Sequence, residues 1–138
     1  MNRFKLHLRP QHLSEELEKH NLQPLPLKKT VVDVFGDFLK YLFHCAKKYI
    51  IESHPNGQKL WDSVQQNIDI VLSHPNGWEG LQQGKMREAA VRAGLVRDAS
   101  TARTRVSFVT EGEASIQYCV GSGMASANIQ VDVPLPDT

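Results

Sequence analysis

Two cysteines, Cys45 and Cys119, are too few for a disulfide framework, and a reduced, cytoplasmic setting follows as the simplest expectation. Charge of one sign is just as scarce. Sixteen basic and 15 acidic residues leave a formal net charge of +1, so nothing in the overall electrostatics argues for nucleic acid or an anionic membrane as partner. No apolar run approaches the roughly 18 residues of a membrane-crossing helix. The opening MNRFKLHLRP lacks the apolar centre of a secretory leader. Metal-ligand spacing is missing too. His7, His12, His20, His44, His54 and His74 fall at no zinc-like interval, and no Cys-x-x-Cys occurs, so no metal site is expected. His44 and Cys45 do not make a nucleophile pair, because adjacent residues on a helix point about 100° apart.

What remains is a globular balance, 41% hydrophobic and 22% charged, in a chain long enough for one domain. RFKLHL (3–8) alternates and suggests a short strand, and PQHLSEELEKH (10–20) a short polar helix. NLQPLPLKK (21–29), with two prolines, reads as an extended connector. The strongest helix signal is TVVDVFGDFLKYLFHCAKKYIIE (30–52). Thr30 suits the N-cap and Asp33 the first turn. Val31, Val34, Phe35, Phe38, Leu42, Cys45 and Tyr49 recur at helical spacing, and Val32, Leu39, Phe43, Ala46 and Ile50 widen the stripe. A face this broad predicts a helix covered on more than one side; Cys45 here and Cys119 in its own helical segment read as small buried thiols.

QKLWDSVQQ (58–66) predicts a second, shorter helix, and NIDIVLS (67–73) a buried strand. WEGLQQGKMREAAVRAGL (78–95) predicts a helix with Leu81, Met86, Ala89, Ala90 and Ala93 on its apolar side and Gly94 near its end. VRDASTARTR (96–105) reads as a polar loop, its arginines solvated or touching a partner. VSFVT (106–110) is a second short buried strand, and EGEASIQYCV (111–120) a helix with two glutamates in its first turn. GSGMASAN leads out, and IQVDVPLPDT is an extended tail. GSGMAS has no strand before it and no following Lys-Ser/Thr, so it is not a phosphate loop.

The pentapeptide SHPNG occurs at 53–57 and again at 73–77. The first copy ends a helix and the second leaves a strand, and nothing else recurs at that offset, which excludes a solenoid. The shared element is a Pro-Asn-Gly turn former used twice. The second copy opens a strand–SHPNGW–helix–strand–TEGEAS–helix order. Two strands joined through a helix are expected to be parallel, with both following turns at their carboxyl ends, where α/β proteins contact ligands. Glu111 and Glu113 stand there. A carboxylate in that position can hold hydrated magnesium or orient a water; alternatively, both glutamates simply complement a helix N-terminus.

NIDIVLSHPNGW, GKMREAAVRAGL and VSFVTEGEAS, in that order, resemble a run in the ATPase domain of the seventy-kilodalton heat-shock proteins, closest to the heat-shock 12A-like and fungal branch. The resemblance spans about residues 30–120. It implies a partial actin-like, ribonuclease-H-like α/β fold: helix, strand, helix, strand, helix, with two parallel central strands. It also implies ancestral ATP and magnesium as cofactors and a chaperone-related role. One catalytic position carries over, since the glutamate of the family's Asn-Glu-Pro motif falls on Glu111, near the metal and the attacking water. Gly112 and Ser115 depart from that motif. The family's Asp-x-Gly-Thr and Asp-x-Gly-Gly-Gly-Thr phosphate loops do not occur in the sequence.

These readings combine into one expectation. A single incomplete nucleotide-binding segment has an irregular arm (1–29), an α/β core (30–120) and an extended tail (121–138). It is a truncated heat-shock-type ATPase piece that does not hydrolyse ATP alone, because phosphoryl transfer depends on positioning phosphates, metal and water together. The alternative is a non-catalytic interaction module that docks on a protein partner or on itself through helix 30–52 and an unpaired sheet edge. An enzyme using Glu111 and Glu113 as an acid–base pair ranks last.

Overall fold

The computed structural model describes residues 4–9, 23–78 and 80–122. The expected helix at 10–20 and the tail beyond 122 lie outside them. The fold is mixed α/β. After a 3₁₀ turn at Phe4–Leu8 come helix α1 (Val31–Ser53), helix α2 (Gly57–Val64) and a second 3₁₀ turn (Gln65–Asn67). Strand β1 (Ile70–His74), helix α3 (Gly80–Arg92), helix α4 (Ala99–Arg105), strand β2 (Val106–Thr110) and helix α5 (Glu111–Gly121) follow.

Helix α1 starts where Thr30 predicts. The Thr30 hydroxyl accepts from the Asp33 N–H at 3.2 Å, and Asp33 Oδ2 accepts from the Thr30 N–H at 2.8 Å, a reciprocal capping box. It ends at Ser53, with His54 extended and Pro55 unable to continue the ladder. Its buried stripe is narrower than expected. Val32, Phe35, Gly36 and Leu39 are buried, whereas Tyr41 and Tyr49 are 65% and 70% exposed. The amino-terminal half packs into the core, whereas the other half is mostly exposed among the described residues, apart from Phe43 against Trp61 of α2, so breadth of the apolar face overstates its cover.

The packed half meets α3 through small residues. A Cβ on Gly36 would lie 3.5 Å from the Ala89 carbonyl oxygen and 3.5 Å from Arg92 Cβ, so glycine permits the close approach. Ala89 and Ala90 are fully buried against it, with Met86 and Ala93 in the same core. Leu81 is 69% exposed, against expectation, and Gln82 is buried instead. At 100° per residue Leu81 sits about 140° from Met86, while Gln82 falls in phase with Met86, Ala90 and Ala93. Helix α3 closes on Gly94 at φ +74°, where Leu95 N–H donates to the Ala90 carbonyl and Gly94 N–H to that of Val91, a Schellman close.

Three further expectations change. Residues 4–8 form a 3₁₀ turn rather than a strand: Phe4 packs edge-on to Phe35 at 4.8 Å, and Leu8 is buried. Alternation over six residues does not separate the two, and among the described residues the only sheet is β1 with β2. The segment 96–105 is not all loop, because Asp98 accepts from the Thr101 N–H at 2.7 Å, caps α4 and sends Ala102 into the core. Strand β1 begins at Ile70 and alternates, with Val71 and Ser73 exposed and His74 buried. Its apolar run mimics a strand covered on both faces, but only the face carrying Ile70 and Leu72 packs against the core.

Strands β1 and β2 are parallel as expected, in the register Ile70 to Val106 through His74 to Thr110. That register sets the SHPNG turn beside the start of α5.

Candidate functional site

The carboxyl edge of the sheet carries both glutamates singled out for chemistry, Glu111 and Glu113, at the start of α5. His74, last in β1, lies opposite Thr110, last in β2. Its Nδ1 lies 2.8 Å from the Pro75 carbonyl oxygen, so Nδ1 carries the proton and donates. Its Nε2 then accepts from the Gln83 amide at 3.2 Å. The imidazole is parallel to the Trp78 ring at 6.4 Å and tilted against Phe108 at 5.9 Å. Both ring nitrogens have partners and the buried ring packs against two aromatic rings, which makes it a structural hub. Gly77, at φ +81°, turns the chain toward Trp78, and Trp78 N–H donates to the Pro75 carbonyl at 3.4 Å.

Across the edge, Thr110 caps α5. Its hydroxyl accepts from the Glu113 N–H at 3.1 Å, and Glu113 Oε2 accepts from the Thr110 N–H at 2.7 Å. Hydrogen bonding with Thr110, first through its backbone N–H and then through its side chain, holds the Glu113 carboxyl below its ordinary range. Glu113 is thus an ionised cap, poorly suited to share protons with Glu111 as a general acid. For this residue the helix-terminus reading holds.

Glu111 stands apart. It takes no part in the capping box, and Lys5 Nζ donates to its Oε1 at 2.5 Å. The pair is about half exposed. With Ser73, Ala114, Ser115, Tyr118 and Cys119, Glu111 lines an open groove of about 400 Å³. The two turns touch at this edge: a Cβ on Gly112 would lie 3.8 Å from Asn76 Oδ1. Sequence reading missed Lys5, 106 positions from Glu111, and no local pattern reports it.

The remaining candidates disperse. No three His, Cys, Asp or Glu among the described residues gather as a metal set. His54 is exposed with Nδ1 3.2 Å from the Ile50 carbonyl oxygen, and His7 Nε2 lies 3.1 Å from that of Gln23. His12 and His20 lie outside the described residues, as does GSGMAS beyond Ser122. Cys45 and Cys119 are exposed, not buried, because α5 buries no residue and the outer half of α1 is open. No helix among the described residues is long and apolar enough to cross a membrane.

As a magnesium–nucleotide site the edge is partial. Magnesium needs only one or two carboxylates beside phosphate oxygens, and Glu111 supplies one, already paired with Lys5. The described residues provide no glycine-rich cradle of backbone N–H groups for phosphates. In comparisons with known proteins, no family model, curated protein or solved structure matches the chain.

Proposed function

We propose that the chain is a segment of a heat-shock-70-type ATPase domain with the actin-like fold, in which the carboxyl edge of β1 and β2 faces magnesium-bound ATP. The observation that carries this reading is the parallel register, which puts a glutamate-led helix start beside the SHPNG turn. Glu111 is the residue left over for a ligand, since Glu113 is consumed by the cap. In this reading Glu111 orients water or holds magnesium, and Lys5 occupies its carboxylate when no nucleotide is bound. The chain alone has one carboxylate and neither phosphate loop, so it does not hydrolyse ATP; its chaperone-related role belongs to a two-lobed assembly in the cytoplasm.

Calorimetric titration with magnesium and ATP tests this, on the chain alone and on a version extended by its flanking coding sequence, each with Glu111→Gln alongside. The extended protein is expected to bind, and Glu111→Gln to slow its hydrolysis by about a hundredfold. An extended protein that ignores ATP overturns the ATPase reading. Glu111-dependent binding by the chain alone overturns the claim that the missing loops disable it.

A second reading has its own support. Phe38, Tyr41, Leu42 and Tyr49 leave an exposed apolar surface on α1, and β1 has no strand on its outer side among the described residues. An interaction module docking a protein partner or a second copy there would show concentration-dependent mass in sedimentation, abolished by Tyr41→Asp with Tyr49→Asp. A single monomeric species at all concentrations removes self-association.

A further inference from the structure

The opposite end of the sheet holds a cavity of about 680 Å³. It lies at the amino ends of the strands, where Ile68 precedes β1 and Arg105 precedes β2, and both residues line it. Its volume falls within the roughly 300–1,000 Å³ of small-molecule sites. One side is apolar: Phe43 and Trp61 meet edge-on at 5.5 Å, beside Leu95. The other side is polar and includes Thr104. No aspartate or glutamate lines it, yet Arg97 and Arg105 do.

The two arginines differ. Arg97 is 84% exposed, and its Nε donates to Asp98 at 2.9 Å, so its charge is answered. Arg105 is half-buried, contrary to the solvated role its surroundings suggest in the sequence. Its Nη2 donates to Asn67 Oδ1 at 3.1 Å, which fixes the guanidinium plane. Its Nη1 is buried with no hydrogen-bond partner among the described residues. A guanidinium does not deprotonate, and a buried donor left without an acceptor is costly. The cavity thus holds a cation with no acidic partner together with an aromatic pair.

We propose that this cavity binds a small organic anion. Its carboxylate or phosphate oxygen accepts from the half-buried Arg105 guanidinium, and its apolar body packs on Phe43 and Leu95 above the buried Trp61. The site lies at the far end of the strands from Glu111 and does not depend on the nucleotide reading.

Trp61 supplies the readout. The whole chain is titrated with benzoate, phenyl phosphate and the neutral benzamide, followed by tryptophan fluorescence and by calorimetry for stoichiometry. At least one anion is expected to bind one-to-one, about tenfold or more tighter than benzamide, and Arg105→Gln to weaken it by a similar factor. Arg97→Gln is expected to leave it nearly unchanged. Whichever anion binds tighter identifies the oxyanion. Should Arg105→Gln fail to fold, charge discrimination on the unaltered chain still decides. Equal binding of benzoate, phenyl phosphate and benzamide, or no saturation by either anion up to about 10 mM, overturns the proposal. So does a well-folded Arg105→Gln that binds the anions as before.

Discussion

The two SHPNG copies share five residues and almost nothing of their geometry. In the first, the left-handed position falls on Asn56, at φ +57°; in the second it falls on Gly77, at φ +81°. The first copy's glycine, Gly57, is needed for space, since a Cβ there would lie 2.2 Å from the Ile51 carbonyl oxygen. The second copy's glycine has open space around it and is needed for its backbone angle. His54 is exposed and bonds back to its own helix, whereas His74 is buried between a turn carbonyl, an amide and two aromatic rings. The pentapeptide specifies a reversal of the chain. The preceding element, helix or strand, decides which residue turns left-handed and which histidine is buried.

The largest effect that would break this comparison is Gly57→Ala. The new Cβ meets backbone, which yields only by moving α1 against α2, so a loss of about 3 kcal/mol is expected from chemical denaturation. Little change would show that the junction relaxes freely. His74→Ala comes next, at about 2 kcal/mol, because it strands the Gln83 amide and opens a gap beside Trp78. Its counterpart, His54→Ala, should stay within about 0.5 kcal/mol. Equal effects at the two histidines would erase the distinction between the copies. Gly77→Ala is smaller, at about 1 kcal/mol, for it forces an alanine into left-handed backbone without a clash. Asn56→Gly should be near neutral, since glycine accepts the same angle.

The smallest effect is in acid. Glu113 beside the second copy is held below its ordinary range, as are Asp98 and Asp33, the last to about 2, each by hydrogen bonds at a helix N-cap. A lowered folded-state value means stabilisation that is complete above the unfolded value, near pH 4, and is lost as pH falls through the folded one. The thermal midpoint should therefore hold steady from neutrality to about pH 5 and drop below about pH 4, and Glu113→Gln should reduce the drop.

Much of the frame is legible in the sequence. Thr30 and Asp33 mark the start of α1, Pro55 marks its end, and VSFVT is β2 residue for residue. The parallel pairing follows from the strand–helix–strand order. What escapes is whatever depends on which surfaces are covered. Helix α4 has a polar sequence around one buried alanine, and only the Asp98 cap announces it. The exposure of Cys119 follows from how little α5 packs. At the candidate site, Glu111 was legible from its place after a strand. The commitment of Glu113 to a capping box was present in the T-x-x-E pattern of Thr110 to Glu113. The Lys5 partner was not, because a contact across 106 positions leaves no local trace.

The central claim, that the β1–β2 edge belongs to a heat-shock-type ATPase domain, is tested most directly by sequencing the transcript that encodes this chain on both sides of it. The account predicts an in-frame Asp-x-Gly-Thr segment upstream and an Asp-x-Gly-Gly-Gly-Thr segment downstream. In-frame stops bracketing the chain, with neither motif, would contradict it and leave the interaction reading of α1 and the β1 edge in its place.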